Sequence, residues 1–118
     1  MGVPLSKELF PLDGRIRYVA VNASGAIVEM EQRAERPSYN PPETDRMEEL
    51  IVNPIVLEAT RRRGDLDLGG VRWVIIRYGL QYQMVFPHAS GHVSVGVEAD
   101  GDVTELAGRI SDLLDRRA

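Results

Sequence analysis

The sequence predicts an α+β fold in which helices pack on one five-stranded sheet. Two strand-like runs flank NASG near the start of the chain, and three more follow one another between residues 71 and 99. A helix-length segment lies between the two groups, and an amphipathic helix closes the chain. Consecutive strands joined by short turns pair antiparallel, and helices must then cover the sheet. The expected element order is α-β-β-α-β-β-β-α.

Residues 1–14 read as a short helix or arm. Ser6 could cap a turn that carries Leu5, Leu9 and Phe10, and Pro11 would stop it. RIRYVAVNASGAIVEMEQ, residues 15–32, reads as a β-hairpin, and the polar, proline-rich 33–43 as a loop. The main helix is expected over 44–63. Thr44 is its N-cap, acidic residues fill its first turn, Arg61, Arg62 and Arg63 fill its last, and Gly64 follows as a C-cap. Pro54 lies inside it and should kink or restart the helix. After DLDLGG come VRWVIIRY (71–78), LQYQMVF (80–86) and HVSVGVEA (92–99). In the last helix Val103, Leu106, Ile110, Leu113 and Leu114 make one stripe, with Asp102 and Glu105 spaced as a capping box.

Both histidines stand in PHASGH, four residues apart. On a helix that spacing suits a metal, but here it falls between two strands. If Ala89-Ser90-Gly91 were the loop, His88 would face His92, and Tyr82, Met84 and Phe86 would share a face with Ser94, Gly96 and Glu98. If His88–Gly91 is a four-residue loop, Pro87 faces His92. Tyr82, Met84 and Phe86 then join Val93, Val95 and Val97, and Gln81 and Gln83 join His92, Ser94 and Glu98. A coherent buried face selects the second register. Gly91 then falls where a left-handed residue is commonly needed. The same logic makes Asn22–Gly25 a four-residue loop aligning Val19 and Val21 with Ala26, Val28 and Met30. A two-residue turn at Tyr78-Gly79 extends the apolar face to Val71, Trp73 and Ile75. His88 is thus expected at a loop tip and His92 on a polar surface.

A chain of 118 residues suits a single domain spanning 1–118. Without cysteine there is no disulfide, thiolate metal site or cysteine nucleophile. The first residues lack the apolar run of a signal peptide and no segment approaches the ~20 apolar residues of a membrane span, so a cytoplasmic protein without membrane contact is expected. A net charge of −4 argues against nucleic-acid binding. Asn22-Ala23-Ser24 matches a glycosylation triplet by chance. Gly64–Gly70 lacks the Lys-Ser/Thr of a phosphate loop, Asp65 and Asp67 read as turn formers, and Ser24 and Ser90 have no paired base. No cofactor, metal or catalytic group is expected.

What stands out is excess apolar surface. In LIVNPIVLEA, Met47, Leu50, Ile51 and Pro54 cover one side of the main helix, and Val52, Ile55, Val56 and Ala59 cover much of another. In VRWVIIRY, Trp73 and Ile75 face one way, Val74 and Ile76 the other. Elements apolar on two sides need two partners, so self-association is expected, with Met47, Leu50, Ile51, Ile55, Val74 and Ile76 at a homodimer interface. Arg61, Arg62 and Arg63 offer a surface to an anionic partner.

The stretches RYVAVNASGAIVEM, ETDRMEELIVNPIVLEATRRRG and VRWVIIRYGLQYQMVFPHASGHVSVGVE make the chain, over roughly residues 10–116, resemble the roadblock/LC7 family within the profilin-like group. That resemblance implies a sheet of order 2-1-5-4-3 and homodimers formed through the long helix and the 71–78 edge strand. It also implies a scaffold, or a regulator or partner of small GTPases, with no shared active site. The chain departs from the pattern in Pro54 and in the proline-rich loop. The leading expectation is a non-enzymatic dimeric interaction protein. The alternatives are a sensor module holding a small molecule near Trp73, Tyr82 and Met84, and an enzyme using His88 or His92.

Overall fold

The computed structural model describes residues 3–33 and 42–117. A short helix α1 (Leu5–Leu9) and a 3-10 turn (Phe10–Leu12) lead into β1 (Ile16–Ala23) and β2 (Ala26–Gln32). The long helix follows in three joined pieces, α2 (Pro42–Met47), a π-helical turn (Glu48–Val52) and α3 (Asn53–Asp67). Then come β3 (Val74–Arg77), β4 (Gln81–His88), β5 (Gly91–Glu98) and α4 (Thr104–Arg117). The strands form one antiparallel sheet in the order β2-β1-β5-β4-β3, as the family resemblance implied. Most of the expected loop at 33–43 lies outside the described residues.

The apolar face of the sheet carries the core. Val19, Met84, Phe86, Val93, Val95 and Val97 pack against Leu5 and Leu9 of α1 and against Leu106, Ile110 and Leu114 of α4. Each is under a tenth exposed, and side chains of this size stabilise by about 1.5–3 kcal/mol each when buried. Trp73, Ile75 and Tyr82 pack on its margin.

The β4–β5 register is the expected one, with Met84 opposite Val95, Phe86 opposite Val93 and Pro87 opposite His92. Pairing runs one step further, to His88 opposite Gly91, so the loop is the two residues Ala89-Ser90 and not four. Ala89 takes the left-handed conformation (φ 50°), and Gly91 does not. Gly91 is needed for another reason. A Cβ there would enter the Asn22 carbonyl of β1, with the carbonyl carbon only 2.6 Å away.

The first hairpin corrects the sequence reading more deeply. Its loop is Ser24-Gly25, both left-handed (φ 51° and 83°), as a two-residue hairpin demands. A bulge then shifts the register between Val21 and Asn22. Val21 faces Glu29 and Val19 faces Glu31, while Met30 faces Ala20. Val28, expected in the core, is 59% exposed. The shift places the Glu29 carboxylate against the first amides of α1, accepting from Leu5 N at 3.0 Å and Ser6 N at 3.1 Å. Glu29 therefore does the capping expected of Ser6, which is itself buried inside the helix. At β3–β4 Arg77 faces Tyr82, two residues beyond the expected turn, so the faces stay as read. Only 74–77 form strand.

The long helix outruns its expected limits at both ends. Thr44 lies within it, and Gly64 is buried inside it. The stop comes where Gly69 and Gly70 turn left-handed (φ 81° and 86°) and the Gly70 amide donates back to the Gly64 carbonyl at 3.1 Å. A Cβ on Gly64 would sit 2.9 Å from the Gly70 carbonyl oxygen, which explains a glycine in mid-helix. Pro54 produces the expected disturbance in a specific form. Its ring and missing N–H are incompatible with a regular turn before it, and the helix widens to a π turn in which Asn53 N–H reaches Glu48 O.

Candidate functional site

The second face of the sheet is polar, carrying Tyr18, Asn22, Gln83, His92 and Ser94. All five are buried. The long helix covers them and supplies polar groups of its own. Glu49, in the π turn, and Asn53, one turn on, are each 0% exposed. The Glu49 carboxylate accepts from the Tyr18 hydroxyl at 2.8 Å and from the Asn53 amide at 3.2 Å. The His92 Nε2 lies 2.8 Å from its Oε1 and donates in the tautomer protonated there. Removing a carboxylate from water is costly unless donors replace the water. Three donors from three elements do so. Burial, then the adjacent Glu49 charge, pushes the Tyr18 phenol far above its usual value, so it stays a donor. Asn53 Oδ1 is buried without a hydrogen-bond partner among the described residues. Gln83 and Ser94 bond side chain to side chain beside this cluster, and Gln81 donates to Gln83 Oε1 at 3.2 Å.

His92 is thus not the surface residue the sequence reading expected. Its polar face is real, but a helix lies on it. The missed residue is Glu49. The available signal was a carboxylate four residues before Asn53, one helical turn away and so on the same side of the helix, where it can meet a sheet face of the same polar character. His88 points the other way: it lines a small cleft with Arg72, Ser111 and Asp115, on the α4 side. A two-residue hairpin puts the two histidines on opposite faces of the sheet, and among the described residues no three potential metal ligands cluster. Asp67 pairs with Arg63 within the helix. Asp102 accepts from Thr104 N at 2.9 Å at the start of α4, and that bond holds its carboxyl below the usual range.

The outer side of the long helix is an apolar ridge. Met47 is 51% exposed, Leu50 40%, Ile51 54% and Ile55 62%. Val52 and Val56 are half-buried, and Leu57 is buried. Val74 and Ile76, half-buried, sit on β3, the edge strand, which among the described residues pairs only with β4. Arg61, Arg62 and Arg63 are exposed but lie within the helix, short of its end. Arg62 pairs with Glu58 at 3.2 Å and Arg63 with Asp67, each one turn away. The place reserved for a small molecule near Trp73, Tyr82 and Met84 is filled: Met84 is 0% exposed, and the Trp73 ring packs 6.3 Å from that of Phe86. An open cleft of about 450 Å³ lies instead beside the start of the long helix, between it and the β3–β4 turn. Among the described residues no helix is long and apolar enough to cross a membrane.

No protein-family model matches the chain, and no curated protein is similar to it in sequence. Solved structures do share its fold. "MglB with tetrameric arrangement" superposes with a TM-score of 0.69 at 16% identity, covering 98% of this chain and 90% of the other. The gliding protein MglB from Thermus thermophilus gives 0.68 at 18% identity, over 98% and 91%. A roadblock/LC7 domain from Streptomyces avermitilis gives 0.62 at 20% identity, over 90% and 88%. The chain has the roadblock/LC7 fold, in agreement with the resemblance read from its sequence.

Proposed function

We propose that the chain is a non-enzymatic, homodimeric interaction module that scaffolds or regulates a small GTPase. The observation that carries this reading is the ridge of Met47, Leu50, Ile51 and Ile55 beside the open edge of β3. A contiguous apolar face of this kind on a small protein marks an interaction surface. A second copy can cover it and pair with the edge strand, with Val74 and Ile76 at the seam. The solved structures of like fold include an MglB described as tetrameric, which supports association. The GTPase role rests on the roadblock resemblance, and the exposed Arg61–Arg63 run offers guanidinium groups to an acidic partner surface.

The test is light scattering after size exclusion at micromolar concentration. The wild type is expected as a dimer, and Ile51→Glu with Ile55→Glu as a folded monomer, since each buries a charge only if the interface forms. A wild type that runs as a clean monomer refutes the dimer. Small GTPases of the source genome, loaded with GDP or GTP, are then tested for binding to both forms. Failure of all of them to bind refutes the GTPase role while leaving the dimer standing.

A further inference from the structure

A cleft of about 240 Å³ opens where the end of β4 meets α4. Val71, Phe86, Pro87 and Leu114 make its apolar wall, and Arg72, His88, Ser111 and Asp115 supply its polar groups.

Ser111 is the unusual member. It stands four residues after Ala107 and three before Leu114, within the buried stripe of α4, where the pattern calls for an apolar side chain. It is 6% exposed, and its hydroxyl makes no hydrogen bond among the described residues, not even to the carbonyl one turn back. A hydroxyl withdrawn from water without a partner costs stability, and this one lines the cleft. The half-buried His88 ring, at the end of β4, is likewise without a hydrogen bond or ion pair among the described residues. An imidazole carries an N–H donor whether neutral or charged. Arg72 adds a guanidinium with its fork of N–H donors. Its ionic neighbour is Asp115 at 3.7 Å, beyond hydrogen-bond reach, with the two side chains 68% and 70% exposed. Such a pair in water is worth little and leaves the fork open. Three donors thus line the cleft, two of them without any partner, against one carboxylate. The complementary group is an ionised carboxylate, which only accepts. The small volume and apolar wall admit a compact body behind it.

We propose that this cleft binds a small organic acid, one carboxylate on a compact apolar body. The carboxylate accepts from the Ser111 hydroxyl, the His88 ring and the Arg72 guanidinium, and the body lies against Val71, Phe86, Pro87 and Leu114. None of these residues belongs to the proposed dimer face, so the site is tested apart from that reading.

Benzoate is the probe. Benzamide, equal in shape but neutral, is one control, and acetate, the same carboxylate without the ring, is the other. Each is titrated into the wild-type protein in phosphate-free buffer and followed by amide chemical shifts. Benzoate is expected to saturate, with shifts centred on Arg72, Ala89 and Ser111. Benzamide should bind about tenfold weaker or worse for want of charge, and acetate likewise for want of apolar contact. Ser111→Ala deletes only the oxygen, so it should keep the fold and lose about tenfold in benzoate affinity. Arg72→Gln, at an exposed position, should lose as much. Asp115→Asn removes the competing carboxylate and should tighten benzoate about threefold. Equal binding of benzoate and benzamide or of benzoate and acetate, shifts centred on Arg61–Arg63, unchanged affinity in Ser111→Ala, or no saturation would overturn the proposal.

Discussion

Glu49→Ala is the most informative perturbation of this molecule. The carboxylate binds three donors on three elements: Tyr18 of β1, His92 of β5 and Asn53 of α3. Tyr18 is 6% exposed, His92 2% and Asn53 0%, so water does not replace what is lost. A buried donor left unpaired costs about 1–3 kcal/mol. Three such losses overlap, so the total is about 3–5 kcal/mol. That is a large part of the ~5–15 kcal/mol that holds a domain together. In a chain of this size it lowers the melting temperature by about 10 °C or more. Urea unfolding at fixed protein concentration measures it. Glu49→Gln keeps the shape and one acceptor oxygen, and should cost about 1–2 kcal/mol. Glu49→Leu with Tyr18→Phe and His92→Leu removes the acceptor and two of its three donors, leaving the Asn53 amide, so it should recover much of the single-mutant loss. A Glu49→Ala loss under about 1 kcal/mol, or a triple variant no better than the single, would show that the network does not hold the helix to the sheet.

The remaining expectations are narrower. Gly91→Ala should cost about 1–3 kcal/mol by forcing β1 from β5, since its Cβ meets the Asn22 carbonyl. Gly79→Ala, with nothing within 4 Å of its Cβ, should be near neutral, and thermal melts compare the two. The Arg15 hydrogen bond holds the Asp13 carboxyl below its usual 3.8. A lowered carboxylate stabilises above its unfolded value, and that stability is lost as pH falls below about 3.8 and on through the lowered folded value. Asp13→Asn should therefore flatten the acid limb of a stability–pH curve. Glu48 has the opposite sign, since burial raises its carboxyl above 4.5 and its ionised form is the disfavoured one in the fold. Glu48→Gln should thus be neutral or stabilising at pH 7, and that advantage should fade as pH falls through the raised value and below 4.5.

Much of the fold is legible in the sequence because alternation and turn chemistry act locally. The period-2 pattern of Tyr82–Phe86 and Val93–Val97 specifies which side of the β4–β5 hairpin is buried, and the structure keeps that register. Pro54 signals a helix disturbance wherever the helix lies, because its missing N–H is a property of the residue. The errors arise where a distant group decides. β2 slips at Val21/Asn22, and only with α1 in place does the shift put Glu29 on the amides of Leu5 and Ser6. Gly91 reads locally as a left-handed turn residue, yet the obstacle to a side chain is Asn22, 69 residues earlier in the chain by subtraction of their numbers.

The element types, the apolar face of the sheet and the surplus apolar ridge on the long helix are thus set by residue type and spacing along single elements. Packing between elements settled the rest: that the polar face is buried, that His88 and His92 part to opposite sides, and that Glu49 becomes the acceptor joining helix to sheet. A polar face looks the same in sequence whether water or a helix covers it. The difference is made by the partner that arrives with complementary donors and acceptors, and here the partner is a π turn carrying one buried carboxylate.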